Sequence, residues 1–208
     1  MKNPLHYLLP GTCVLCNMLS YRDQDLCRNC EIDLPWVGTL SNNIIAVFYY
    51  QYPIDHLIGA LKFANKLIYA KILGELMADR LVDCYKSESL PEVIVPVPLH
   101  KHRLRERGYN QALELARPIA KQLNIPIDFN SCVRIKHTEA QSLIPAKQRQ
   151  KNVKNAFEVS KNFSAQHVAI IDDVITTGST IKELSNVLLQ SGVSRIDLWC
   201  CAKTNYAA

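Results

Sequence analysis

The apolar positions of this chain fall into two spacings. Short, nearly unbroken apolar runs have the length of strands: IIAVFYY at 44–50, VIVPV at 93–97, SCVRI at 131–135, AFEV at 156–159, VAII at 168–171 and RIDLWCCA at 195–202. Between them apolar residues recur at helical spacing. Ile54, Leu57, Ile58, Leu61 and Ala64 define a helix from Pro53 to Asn65, with the proline in its first turn. Ile68, Ile72, Leu76 and Leu81 define a second, from Leu67 to about Tyr85. Leu113, Ala116, Ile119, Ala120 and Leu123 share a face in ALELARPIAKQL, where Pro118 predicts a kink or a break and Asn110 an N-cap. Ile181, Leu184 and Leu188 define a helix from Thr180 to Gln190 that ends near Gly192. Strands alternating with helices predict an α/β fold, a doubly wound, mostly parallel sheet. Ligands in such sheets bind beyond the carboxyl ends of the strands.

Two stretches do not fit plain packing. In IIDDVITTGST (170–180) an apolar run meets two adjacent carboxylates, then a glycine among hydroxyls at a helix start. It lacks the G-x-G-x-x-G of a dinucleotide fold and the GK[ST] of a P-loop. Thr176, Thr177, Gly178, Ser179 and Thr180 offer backbone N–H groups and hydroxyls that suit one phosphate monoester. Gly178 permits a close approach or a positive φ. Asp172 and Asp173 suit hydroxyl groups or a divalent cation. A phosphate at one end and a vicinal diol at the other describe a ribose 5-phosphate. The plain alternative is a helix cap with incidental acids. The second stretch is the loop PLHKHRLRERGYNQ, with Lys101, Arg103, Arg105 and Arg107 within seven residues and His100 and His102 beside them. Its alternative is a solvated surface. Its place after a strand, like that of the acidic junction, puts both at one crevice, where arginine forks match diphosphate oxygens.

The acidic junction resembles the phosphoribosyl-diphosphate (PRPP) loop of type I phosphoribosyltransferases. That resemblance implies the 5-phosphate on 176–180, the ribose hydroxyls on the catalytic acids Asp172 and Asp173, Mg²⁺ bound with PRPP, and the diphosphate on the 101–107 loop. Taken together, IVPVPL, R-x-R-x-R-G-Y-N-Q, Gln141, Arg149-x-x-Asn152 before an AF, IIDDVITTGST, a helix with ALKF (60–63) and paired N-terminal cysteines resemble the ComF/GntX family of competence-associated, phosphoribosyltransferase-like proteins. The family is linked to natural transformation, and its GntX branch to gluconate uptake. The resemblance implies a PRPP-binding domain serving cytosolic uptake and handling of single-stranded DNA, with DNA and competence or DNA-processing proteins as partners. The alternative it leaves is an active phosphoribosyltransferase on an unidentified nucleobase or nucleotide-type acceptor, without a DNA role. One departure stands out: the family has a glycine soon after Lys-Phe, where this chain has Ala64-Asn65-Lys66. By analogy with the loop that closes over the sugar in phosphoribosyltransferases, the polar stretch 136–155 is expected to be mobile. Arg134, Lys136, Gln141, Arg149 and Asn152 are its candidate contacts and His137 a candidate acid or base, against the alternative of a disordered surface loop. No base-recognising hood is expected after Cys201, which leaves the helices at 53–85 and the cysteine segment as its only material.

Of eight cysteines, Cys13, Cys16, Cys27 and Cys30 read C-x2-C-x10-C-x2-C, while the others are scattered through apolar segments. A segment this small cannot fold on hydrophobicity alone, and four thiolates around one Zn²⁺ would hold it with no open coordination position. The expected organisation is a four-cysteine zinc-binding domain at 1–35, a helical, hood-like connecting segment at 36–90 and a phosphoribosyltransferase-like domain at 91–208. Over 208 residues the chain is 48% hydrophobic and 21% charged, an ordinary globular balance. No apolar run approaches the roughly 20 residues of a membrane span, and Pro4 and Pro10 break up the N-terminus, so a cytoplasmic protein without membrane insertion is expected. A net charge of +5 is compatible with a phosphate ligand or nucleic acid and decides between neither.

Overall fold

The computed structural model describes residues 11–22, 24–38, 44–136 and 153–204. The chain opens with a small ladder, β1 (Gly11–Thr12) with β2 (Leu19–Ser20), and a short helix α1 (Arg28–Ile32). There follow β3 (Ile44–Tyr49), α2 (Ile54–Phe63), α3 (Leu67–Cys84), β4 (Val93–Pro96), α4 (Lys101–Arg107), α5 (Gln111–Leu123), β5 (Cys132–Arg134), β6 (Phe157–Val159), β7 (His167–Ile175), α6 (Ser179–Gln190) and β8 (Arg195–Lys203). A four-stranded parallel sheet, in the order β3-β8-β7-β4, forms the centre.

Strand alternation sorts the side chains of this sheet into two cores. On one face Ile94, Ala169, Ile171, Trp199 and Cys201 pack with α2, α3 and α5. On the other Val93, Val95, Val97, Val168 and Ile170 pack with Ile181, Leu184 and Leu188 of α6. The parallel sheet flanked by helices is thus as expected. Close packing of α3 on α5 depends on Gly74: a Cβ there would lie 2.4 Å from Pro118 Cγ and 2.7 Å from the Leu115 carbonyl oxygen.

Several local expectations need correction. SCVRI and AFEV do not join the main sheet; β5 and β6 pair with each other, antiparallel. Pro118 does not break its helix, and α5 runs through it. The buried face of α5 centres on Ala112, Leu115, Ala116 and Ile119 rather than on Leu113. Ile68 and Ala64 stay exposed, while Ile54, Leu57, Ile58, Leu61, Ile72, Leu76 and Leu81 are buried.

Two differences matter for the site. The strand expected at 168–171 continues to Ile175, because Asp172, Val174 and Ile175 pair with Cys200, Ala202 and Lys203 of β8. Both acids therefore sit inside a strand. The stretch after β4 is a helix, not a loop. His100 caps α4 by accepting from the His102 N–H, His102 and Glu106 form an i,i+4 pair, and Gly108 ends the helix at φ +79° while its N–H donates to Leu104.

Candidate functional site

A cleft of about 640 Å³ opens beyond the carboxyl ends of β4 and β7, in the usual size range of small-molecule sites. Strand geometry explains how two adjacent acids reach two environments within it. Asp173 shares parity with Ala169 and Ile171 and faces the layer that contains α2. There its Oδ2 lies 2.7 Å from the Lys62 ammonium, on the last turn of α2. Asp172 shares parity with Val168 and Ile170 and faces the layer that holds β5, where the Arg134 charge acts on it. Burial, and then the neighbouring Asp173 charge, push the Asp172 carboxyl up to about 7; Lys62, the Asp173 backbone N–H and Arg134 only partly offset this. Burial works against the Lys62 ammonium too, but the Asp173 carboxylate outweighs it and holds Lys62 above the ordinary lysine value.

The cationic wall follows from α4 being a helix. Residues four apart share a face, so an every-second-residue pattern divides between faces. Arg103 and Arg107 line the cleft, and Lys101 and Arg105 do not. Burial draws the Arg107 and Arg134 pKa values down from the usual arginine value, and both remain cations at neutral pH. Asn110 caps α5 by accepting from the Ala112 N–H and donates its amide to the Val97 carbonyl, which ties β4 to the start of α5. The Tyr109 hydroxyl donates to the Leu61 carbonyl and ties the same turn to α2.

The third wall is the turn from β7 into α6. Gly178 takes φ +70°, the second of the two uses its context left open, and precedes the first residue of the helix. A side chain there would be strained whatever space it had. The Thr177 and Ser179 hydroxyls lie 2.8 Å apart, and Thr176 and Thr180 line the cleft. Of the residues expected from the sequence, the structure brings Asp172, Asp173, Arg103, Arg107, Arg134, Thr176 and Thr180 to one cleft. Gln141, Arg149, Asn152 and His137 lie outside the described residues.

Sequence reading missed four residues of the wall formed by β3 and α2: Tyr50, Lys62, Phe63 and Asn65. The Arg107 guanidinium sits 5.7 Å from the centre of the Phe63 ring. Asn65 takes φ +54°, the left-handed conformation that glycine adopts freely and asparagine tolerates. At Ala64-Asn65-Lys66 this chain thus takes a left-handed residue without a glycine. The signal was the ALKF run, whose helical spacing shows Leu61 as core and leaves the next two residues to face elsewhere.

The N-terminal cysteines form a second cluster, away from the cleft-lining residues. The Sγ atoms of Cys13, Cys16, Cys27 and Cys30 all lie within 4.8 Å of one another, and those of Cys16 and Cys27 are 3.7 Å apart. Four thiolates at about 2.3 Å from one zinc would stand about 3.8 Å from each other, so the spacing fits a tetrahedral metal site. Two matching turns present them: the Asn17 N–H donates to the Cys13 carbonyl, and the Glu31 N–H to that of Cys27. Burial opposes ionisation of Cys13, but backbone N–H groups of Cys27, Cys16 and Leu15 bring its thiol down to about 6. The Cys16 and Cys30 thiols are pushed up instead, Cys30 first by burial, so a bound cation would be needed to hold all four as thiolates.

Residues 110–206 match the family described as phosphoribosyl transferase domain. The chain is 36% identical over 217 residues to competence protein F of Haemophilus influenzae, a match covering 97% of this chain and 94% of that protein. This chain belongs to the ComF family. Other relatives of the family agree. DNA utilization protein YhgH of Escherichia coli is 31% identical over 206 residues, 93% of this chain and 91% of YhgH. Competence protein ComFC of Bacillus subtilis is 28% identical over 177 residues, 80% of this chain and 67% of ComFC. The ComF resemblance drawn from motifs therefore holds across the chain. Among the described residues no helix is long and apolar enough to cross a membrane.

Proposed function

We propose that this ComF-family chain binds PRPP, or a related ribose 5-phosphate, together with Mg²⁺, and serves the handling of single-stranded DNA in the cytosol during natural transformation. One observation carries the ligand half. An acidic pair, a glycine-opened helix start and the arginine face of α4 converge on one cleft at the carboxyl end of a parallel sheet. In this reading the 176–180 turn holds the 5-phosphate with N–H groups and hydroxyls. Asp172 and Asp173 receive the ribose hydroxyls. With a carboxyl that titrates near 7, Asp172 either accepts a hydrogen bond or donates one at physiological pH. Arg103 and Arg107 grip the diphosphate, and Lys62 steadies Asp173 as an acceptor. Mg²⁺ supplies charge neutralisation on the diphosphate when bound; the oxygen donors that suit it are those of Asp172 and Asp173. In the cysteine cluster Zn²⁺ is structural, since four thiolates leave no position for chemistry. The names of the relatives, competence and DNA utilization, support the DNA half.

Calorimetric titration of the full chain with PRPP and Mg²⁺ tests the ligand half. Heat is expected with the wild type and none with Asp172→Ala plus Asp173→Ala; no heat with the wild type, or equal heat with both, sinks the reading. For the DNA half, binding of oligo-dT should weaken steeply as salt rises, and its absence would count against that half alone.

A further inference from the structure

The cysteine segment, away from the cleft, is docked on one side and apolar on the other. Leu26 and Leu34 turn inward and join the core built on α2, α3 and α5, and the Asp25 carboxylate pairs with Lys71 of α3 at 3.3 Å. On the outer side Met18 is 67% exposed, Ile32 65%, Tyr21 55% and Leu19 52%. A segment this small has few apolar side chains to spend on its own core, yet it leaves these in water. They are not scattered. Leu19 and Tyr21 flank the buried Ser20, so strand alternation points both outward together. The Arg22 guanidinium donates to the Glu31 carboxylate, which holds the end of β2 beside α1 and sets Tyr21 and Ile32, the neighbours of that pair, close by. On α1 the exposed residues are Arg28, Asn29, Ile32 and its cap Asp33, a spacing that puts them on one side of the helix.

An exposed apolar face with a polar rim marks an interaction surface, and its charges name the partner. Glu31 already neutralises Arg22, so among the described residues of this face Arg28 is the cation left over, and a nucleic acid backbone finds little to hold. Arg28 and Asp33 make no ion pair among the described residues, and they stand at opposite ends of α1 with Ile32 between them in the chain. A face with a cation at one end, an anion at the other and apolar groups beside them is complementary to its own copy turned about a two-fold axis. Arg28 of each copy then meets Asp33 of the other, and the Leu19, Tyr21 and Ile32 side chains cover their counterparts. We infer that this face joins two copies of the chain, α1 against α1 and antiparallel. The exposed ion pairs set the orientation, and the apolar groups supply the affinity. The inference does not depend on what the cleft binds.

Sedimentation velocity of the full chain over a range of concentrations tests it. The wild type should show a monomer–dimer equilibrium, and Ile32→Glu should weaken it at least about tenfold, the scale of one central apolar contact. Arg28→Asp and Asp33→Arg should each weaken self-association, because like charges then face each other at both ends. An equimolar mixture of these two variants should regain it, since a mixed pair restores opposite charges at both ends. Recovery on mixing also shows that both variants are folded, so the test does not hang on Ile32→Glu alone. The inference is overturned by a wild type that stays monomeric at every concentration, by a dimer that Ile32→Glu leaves unchanged, or by a mixture that associates no better than its components. A monomeric wild type would assign the face to a different protein partner instead.

Discussion

The two ends of the parallel sheet hold acids of the same kind in opposite circumstances. At the amino end, Asp197 of β8 is 2% exposed and saturated: the Tyr85 hydroxyl donates to it at 2.6 Å, His167 Nε2 lies at 2.7 Å and Arg195 Nε at 3.2 Å. The network continues outward from Trp199 to Tyr85 and from Arg195 to Glu88. At the carboxyl end, Asp173 pairs with the Lys62 ammonium, Asp172 faces the Arg134 side, and both line a cleft. Burial, and then Asp197 as a hydrogen-bond partner, push the Tyr85 hydroxyl up and keep it a donor. Burial pushes Asp172 toward neutrality. An acid whose acceptor sites are filled by the protein does structural work. One left short of donors is ready for those of a ligand.

Breaking the saturated end should have the largest effect. Asp197→Ala removes the common acceptor of three side chains and leaves Tyr85 and His167 without it in a partly buried setting, while Arg195 keeps Glu88 at the surface, so urea unfolding should show a loss of about 3–5 kcal/mol, the usual cost of removing one partner from a buried charged network. Asp172→Ala should cost the ligand-free protein far less, because it relieves a desolvated, like-charged neighbour. Equal losses at the two ends would erase the distinction drawn between them.

A smaller effect sharpens the same contrast through pH. The folded-state pKa of Asp172 is raised, so its protonated form stabilises the fold. That contribution is complete below the unfolded value of about 3.9 and is lost as pH rises through about 7. Stability of the wild type relative to Asp172→Asn should therefore fall across that window. Parallel pH–stability curves for the two proteins would show that Asp172 is not desolvated as the structure places it.

Much of this was legible in the sequence, for identifiable reasons. Period separated Ile54-Leu57-Ile58-Leu61 from VIVPV, and the paired cysteines announced their cluster by spacing alone. IIDDVITTGST revealed its chemistry because acids, glycine and hydroxyls are contiguous and local rules govern them. What stayed hidden depends on other segments. The length of β7 is decided by pairing with β8, so the acids turned out to lie within a strand and to face opposite layers. The helical state of 101–107 is decided by the His100 and Gly108 caps, and it divides the four cations into a cleft pair and an outer pair. Lys62 and Phe63 come from a distant stretch, and only the packing of α2 on the sheet brings them to the site.

That division of the cations gives the most direct test of the central claim, that the cleft at the carboxyl end of the sheet is the phosphoribosyl site. Mg²⁺ and PRPP are titrated into the wild type, Arg103→Ala plus Arg107→Ala, and Lys101→Ala plus Arg105→Ala. Both double variants remove the same charge from the same helix. If the cleft face grips the diphosphate, the first loses at least about tenfold in affinity, as expected for charge-assisted contacts, and the second stays within about twofold of the wild type. Equal losses in both would mean that only the net charge of α4 matters and would contradict the assignment of the site to the cleft.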